Sequence, residues 1–504
     1  MKHQEKKFRP EIQGLRAVGA LLVAAYHIWF GKVSGGVDVF FVVSGFLVLG
    51  PLAERSLDGG RIDLWRYLVG LAKRIVPTAF VVLAAVVVLA LVFIPETRWQ
   101  PLSKQAWASA WFFQNFQLAA DSVDYLARDE LPSLVQHYWA ISTQVHFYLI
   151  MGAVVFATGM AARWLRIKTG SILLPALIAI FAGSLAYSIY LTGVNQTVAY
   201  FSTSTRLWEF CLGGLLYLAL PRIDLGTGAR LAAGWVGLVA IVACGAVLPV
   251  SSTFPGYTAL WPTLAACLVI AAGGGFSRFG ADRILTTAPL LNLGAISYGF
   301  YLWHWPLLII YRVVFDVTDV SLVGGLGIMI AAAALATGTY HLVEEPIRRS
   351  KIGSQRVLPT FVLGSAFVVP VCALVAGWSL YMKHVRAEER ARPLDPAVYQ
   401  GALAFDAESQ DRSSADVPVR PGKLLARFDR GDLEKNGCHQ TLAGTEVIRC
   451  VFGNAEASRT IAVVGGSHSG HWLPTLRAMN LETPVRIVTY TKSSCVLSSE
   501  HFGN

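Results

Sequence analysis

Arg16 and His27 stand eleven residues apart inside the first long apolar stretch of the chain, residues 12–30. A neutral imidazole is the common general base near pH 7, and a guanidinium holds phosphates or a developing oxyanion. On a helix, eleven steps at ~100° each turn ~1100°, so the two side chains lie on nearly one face. They are ~16 Å apart in depth, about half of a bilayer core. Ionisable groups at such depth usually face a protein interior or a water-filled cavity, which makes the pair a functional candidate. The bland alternative is an arginine among lipid headgroups and a histidine capping the far end.

Four further polar residues fall in apolar surroundings. Arg206 and Glu209 are three apart and can pair on one helix face; a buried structural ion pair is the favoured reading over catalysis. His304 lies between Trp303 and Trp305 with Pro306 next, and either lines a substrate cavity or packs as a hydrogen-bonded histidine. Asp38, near the far end of the second stretch, is a candidate for orienting His27, with plain structural burial as the alternative. The Gly35-Gly36 turn is too short for a phosphate loop, and no metal-ligand or CxxC spacing appears, so no metal is expected.

The elements that must position these residues are membrane helices. The 504-residue chain is 54% hydrophobic and only 15% charged. Eleven apolar stretches are long enough, or nearly so, to span a bilayer at ~20 residues each. They run roughly 12–30, 36–53, 75–94, 138–160, 172–192, 206–220, 231–249, 258–273, 295–314, 322–342 and 358–381, with the sixth and eighth short. The first is not read as a cleaved signal peptide, since no small-residue cleavage site follows it. Lys and Arg gather at the N-terminus and in alternate loops (Arg55–Arg74, Arg163–Lys168, Arg222–Arg230, Arg278–Arg283, Arg348–Arg356), which predicts a cytoplasmic N-terminus and an extracytoplasmic segment after the eleventh stretch. The net charge of +10 then reads as topology and contact with anionic lipid, not as nucleic-acid binding. Cys211, Cys244, Cys267 and Cys372 fall in spans and read as packing residues. Cys438 and Cys450 lie outside as a plausible disulfide, leaving Cys495 over.

Several blocks, in order, resemble the membrane acyltransferase-3 family of surface-glycan O-acyltransferases. They are Gln13–Arg16 with His27 and Gly35–Phe46; His137-Tyr138-Trp139 through Phe147-Tyr148; Arg206-Leu207-Trp208-Glu209; Ser297 to Pro306; and Glu345-Pro346-Ile347-Arg348. The resemblance covers about 12–350 and implies one acyltransferase domain of ten helices, residues 1–350, in the cytoplasmic membrane of a bacterium. It implies cytoplasmic acyl-CoA, usually acetyl-CoA, as donor, and a hydroxyl of an extracytoplasmic carbohydrate or glycolipid as acceptor. It also makes Arg16 and His27 the essential pair. His27 would act as base or carry the acyl group itself, and Arg16 would hold a CoA phosphate or steady an oxyanion. The family's Arg-x-x-Arg before the third helix is here Leu71-Ala72-Lys73-Arg74, so Lys73 and Arg74 are candidates for CoA phosphates, with positive-inside anchoring as the alternative. Gln144 stands where the family block has a Glu. If that carboxylate orients the catalytic histidine, this chain is weakened, because an amide cannot take a proton or stay anionic. Asp38, Gln144, Arg206, Glu209 and His304 are the candidates to line the substrate cavity.

Beyond the tenth helix the expectation is a loop and eleventh helix (351–384), a charged linker (385–454), and an α/β segment (455–504). The run Ile461 to Ser469 reads as a buried strand and tight turn, and resembles the first block of SGNH hydrolase-like domains, which makes Ser467 the matching nucleophile. Gly466 replaces the usual Asp, and the family's later Gly, Asn and Asp-x-x-His blocks are not present, so the segment reads as the truncated or degenerate opening of such a domain, without activity. The fold class is thus an all-α integral membrane bundle of ten helices plus an eleventh, followed by a truncated SGNH-like α/β segment. The favoured function is an integral-membrane O-acyltransferase. The alternatives are a carrier or flippase without chemistry, and an impaired family member.

Overall fold

The computed structural model describes residues 8–122, 132–248, 253–274, 278–350, 357–395, 398–399, 417–426, 428, 432–442 and 444–495. The chain separates into two units, Met1–Val123 with Glu130–Ser379, and Asp124–Asp129 with Leu380–Asn504.

The first unit is helical. Among the described residues, nine helices are long and apolar enough to cross a membrane. They are α1 (Pro10–Phe30), α2 (Gly36–Leu57), α3 (Leu64–Phe93), α6 (Tyr138–Leu165), α7 (Gly170–Val194), α10 (Thr227–Val247), α13 (Ala288–Phe315), α14 (Leu322–Arg349) and α15 (Val357–Ala391), whose last turns are charged. Between them lie shorter helices: α4 (Trp99–Ala110), α5 (Gln114–Asp121), α8 (Gln196–Phe201), α9 (Leu207–Ala219), α11 (Tyr257–Ala272) and α12 (Ala281–Leu285). Two of the eleven expected spans are therefore short. The 13 residues of α9 rise only ~20 Å, less than a ~30 Å hydrocarbon core. α9 can be short because most of its first turns are enclosed by protein, with Trp208, Phe210 and Cys211 fully buried. α3 begins eleven residues before its apolar stretch. Asp63 caps it by accepting from the Arg66 amide, and its first turns are amphipathic.

α1 is the central positioning element. It opens with Pro at its first position and packs against α2 and α13. The α1–α13 approach needs Gly294, because a Cβ there would collide with the Gln13 carbonyl oxygen. Small residues at such contacts let backbones meet in a membrane, where apolar side chains gain nothing by leaving lipid. Among the described residues, three membrane helices carry a π-turn: Tyr26–Phe30 at the end of α1, Gly45–Leu49 in α2 and Tyr340–Glu344 in α14. Single π-turns often mark functional positions, and two of these hold His27 and Glu344.

The second unit is a small α/β sheet. Strand β4 (Arg486–Lys492) is central. It pairs in parallel with β1 (His439–Gln440) and β3 (Thr460–Gly465), and antiparallel with β2 (Cys450–Gly453). Cys438 and Cys450 form a disulfide. Leu433, Cys438, Val463, Leu473, Val485 and Ile487 make its core. The sheet thus takes in residues of the stretch 385–454, whose charge and proline content read as linker; β1 and β2 are too short to show an alternating pattern. Strand β3 is not uniformly buried: residues alternate between exposed and enclosed along it.

Candidate active site

Arg16, on α1, faces a cavity of about 120 Å³ framed by α1, α2, α3, α6, α13 and α14. Arg74 from α3 and Arg348 from the end of α14 line the same cavity, as do Gln144, Tyr148, Tyr298, Tyr301 and Glu344. That volume has room for several water molecules. Glu344 stands 4.0 Å from Arg348 and accepts from Thr78 Oγ1 at 3.4 Å. Among the described residues, no hydrogen bond or ion pair engages the guanidinium of Arg16 or of Arg74. Three guanidiniums, two of them unengaged among the described residues, therefore meet in one hollow with a single carboxylate, Glu344. That donor set suits the phosphates of an anionic ligand, which arginines grip through charge-assisted hydrogen bonds.

Lys73 does not join them. One position along α3 turns it ~100° away, and its Nζ donates to the Ser350 carbonyl at 2.6 Å. The second cation expected of Lys73 comes instead from Arg348, at the end of the block Glu345–Arg348. Gln144 does line the cavity, but it does not reach His27. Its Nε2 donates to Ser44 Oγ at 2.8 Å and to Tyr148 Oη at 2.7 Å.

His27 sits in the π-turn that ends α1, beyond the cavity. Its Nδ1 is 3.1 Å from Nε2 of His304, and the Trp305 ring packs edge-on against it at 4.9 Å. His304 is fully buried and lies on α13 one turn from Tyr301, whose side chain closes the cavity. The Tyr301 hydroxyl donates to the His137 carbonyl at 2.8 Å, which pins that wall in place. Arg16 lines the described cavity and His27 does not, so the cavity does not bring the expected pair together. His304 likewise stands behind the cavity wall rather than on it.

Asp38, Arg206 and Glu209 form a separate cluster, none of them on the cavity. Arg206 Nη1 donates to Asp38 Oδ1 at 2.8 Å and to Glu209 Oε1 at 2.9 Å, and all three side chains are essentially inaccessible. The guanidinium also lies over Tyr200 and Trp139, at 4.9 and 5.5 Å from the ring centres. Asp38 is thus committed to Arg206 and ties α2 to α9; it is His304, not Asp38, that meets the His27 ring. Ser467 is in the second unit, at the start of the four-residue helix Ser467–Gly470 that follows β3. Gly465 at the strand end has φ 133°, a conformation that a side chain disfavours, so the tight turn before Ser467 is built on glycine.

Sequence reasoning passed over His137 and Tyr301 as site residues, although both lie in quoted blocks. Their side chains act through backbone acceptors: His137 Nε2 donates to the Leu302 carbonyl at 3.0 Å, and the Tyr301 hydroxyl donates to the His137 carbonyl. No residue pattern announces such contacts.

The acyltransferase-domain model of the acyltransferase-3 family matches residues 9–341, which takes in Arg16, His27, Arg74, Gln144 and His304 and ends just short of Glu344 and Arg348. The chain belongs to that family. Peptidoglycan O-acetyltransferase OatA of Listeria monocytogenes is 25% identical over 357 residues, which are 68% of this chain and 56% of that protein. O-acetyltransferase OatA of Staphylococcus aureus is 26% identical over 369 residues, 70% of this chain and 59% of that one. A putative membrane-bound transacylase, BcsY, of Komagataeibacter xylinus is 27% identical over 385 residues, covering 75% and 93%. This chain spans little more than half the length of the two O-acetyltransferases. No solved structure matches it.

Proposed function

We propose that this multi-pass membrane acyltransferase takes an acyl group, most simply acetyl, from acyl-CoA at its N-terminal, cytoplasmic face and transfers it to a hydroxyl of an extracytoplasmic carbohydrate or glycolipid. The observation that carries the reading is the pairing of two unengaged guanidiniums in one cavity with an imidazole pair one helical turn beyond its wall. Acyl-CoA would supply the acyl carbon and a thiolate leaving group. Arg16, Arg74 and Arg348 would hold its phosphates. His27 accepts the proton of the acceptor hydroxyl as that oxygen bonds to the acyl carbon, and returns it to the departing sulfur as the carbon–sulfur bond breaks. The alternating Lys and Arg of the loops support the cytoplasmic placement of the cavity mouth. The names of the relatives, O-acetyltransferases acting on peptidoglycan among them, support acetyl as the cargo and a cell-envelope polymer as the acceptor. In the second unit, Ser467 on its glycine turn supports an SGNH-like opening, which would receive the acyl group outside in a longer arrangement of such domains.

The test is transfer of labelled acetyl from acetyl-CoA to surface glycan by cells whose own gene is deleted and replaced. Wild-type protein is expected to label the glycan, and His27→Ala is expected to lower the rate at least ~100-fold at unchanged membrane abundance. Labelling that survives His27→Ala contradicts the reading. A carrier that does no chemistry would bind no acyl-CoA and consume none.

A further inference from the structure

The geometry points to His304 as a positioning residue that fixes which nitrogen of His27 is the base. The inference rests on the proposed role of His27 and adds a nitrogen and a partner to it. His304 Nδ1 lies 2.6 Å from the Tyr301 carbonyl oxygen. A carbonyl only accepts, so Nδ1 of His304 carries a proton. A neutral imidazole has one N–H, so Nε2 of His304 presents a lone pair. That lone pair faces His27 Nδ1 at 3.1 Å, so His27 Nδ1 is the donor and His27 Nε2 is left unprotonated. A backbone carbonyl thus sets two histidines in series, and the free nitrogen of the second is Nε2. Among the described residues no carboxylate hydrogen-bonds either imidazole; Asp38 is bound to Arg206, and the Gln144 amide to Ser44 and Tyr148. It resembles the use of a second group to hold a catalytic imidazole in one tautomer, done here with neutral partners. It also accounts for the burial of His304, which needs no access to substrate.

In the reaction, His27 Nε2 takes the hydroxyl proton and becomes the second N–H of an imidazolium. His304 Nε2 keeps accepting from Nδ1–H throughout, so no proton passes to His304. The lone pair at Nε2 returns when the proton leaves with the thiolate sulfur.

The test compares His304→Leu with His304→Gln in the full chain in nanodiscs. Glutamine can donate an amide N–H to the Tyr301 carbonyl and accept from His27 Nδ1–H through its oxygen. His304→Leu is expected to lose ~100-fold in kcat with KM for acetyl-CoA unchanged, and His304→Gln to regain at least ~10-fold of that loss. Equal loss in both variants overturns the tautomer role, as does full activity in His304→Leu while His27→Ala is inactive. Activity surviving in His27→Ala removes instead the reading on which this rests. Should His304→Leu fail to fold, ¹⁵N-histidine spectra of the wild-type chain decide the matter. The resonances lost in His27→Ala are expected to show a protonated Nδ1 and a bare Nε2, and the reverse tautomer overturns the proposal.

Discussion

Arg206 and Arg16 are both arginines drawn into apolar helical surroundings, and they have opposite fates. Arg206 is enclosed by Asp38, Glu209, Tyr200 and Trp139, and its accessible surface is 1%. Arg16 faces a cavity shared with a second guanidinium that likewise has no hydrogen-bonded or ion-paired partner among the described residues. A buried charge is costly unless paired, so the first arrangement is a structural solution. The second leaves its charge without a partner among the described residues, which is the condition that the proposed grip on acyl-CoA phosphates requires. Partner count, rather than residue type or depth, separates a tie between helices from a binding group.

The sharpest way to break this contrast is to remove each arginine in turn. Arg206→Ala leaves Asp38 and Glu209 buried without their cation and is expected to cost about 3–5 kcal/mol of stability. The readout is a fall in yield and in thermal stability of the detergent-solubilised protein. A stable, active Arg206→Ala would erase the distinction. Arg16→Ala and Arg74→Ala are each expected to leave the melting temperature nearly unchanged while weakening CoA binding by about 1.5–3 kcal/mol, the range for a hydrogen bond to a charged group, read by calorimetry in nanodiscs. Rising salt should weaken CoA binding in wild type far more than it lowers the stability supplied by the Arg206 cluster, because the cavity is open and the cluster is not. Gln144→Glu places an anion on the cavity wall, and its hydroxyl partners Ser44 and Tyr148 can donate to it. It should raise KM for acetyl-CoA several-fold, about 1 kcal/mol, with little change in kcat. A large gain in kcat would show that a carboxylate at this position acts in catalysis. The smallest effect is expected for Lys73→Ala, within about two-fold in CoA affinity, since Lys73 is turned toward Ser350.

The same contrast explains how far the sequence could be read. Long apolar runs and the order of the blocks carried the helical architecture and the family. The i,i+3 spacing paired Arg206 with Glu209, whereas the expectation of a regular helix from Arg16 to His27 did not foresee the π-turn that holds His27. The partner of Asp38 was not legible, because it comes from a helix 168 residues away. Nor was the orientation of Lys73 and Arg74. Adjacent cations look equivalent in sequence, yet a ~100° step separates one facing a cavity from one facing the end of a neighbouring helix. The His27–His304 contact joins residues 277 apart and is set by a main-chain oxygen, which has no sequence signal at all. In the second unit the expected Cys438–Cys450 pairing is present, while β1 and β2 were hidden by their brevity.

The most direct test of the account is CoA binding to the full chain in nanodiscs, measured for wild type, the Arg16→Ala/Arg74→Ala double variant, and His27→Ala. Saturable binding in wild type and in His27→Ala, with at least ~100-fold weaker binding in the double variant, is the predicted result. Equal affinity in wild type and the double variant, or no binding by wild type, would contradict the claim that this cavity is where the acyl donor enters.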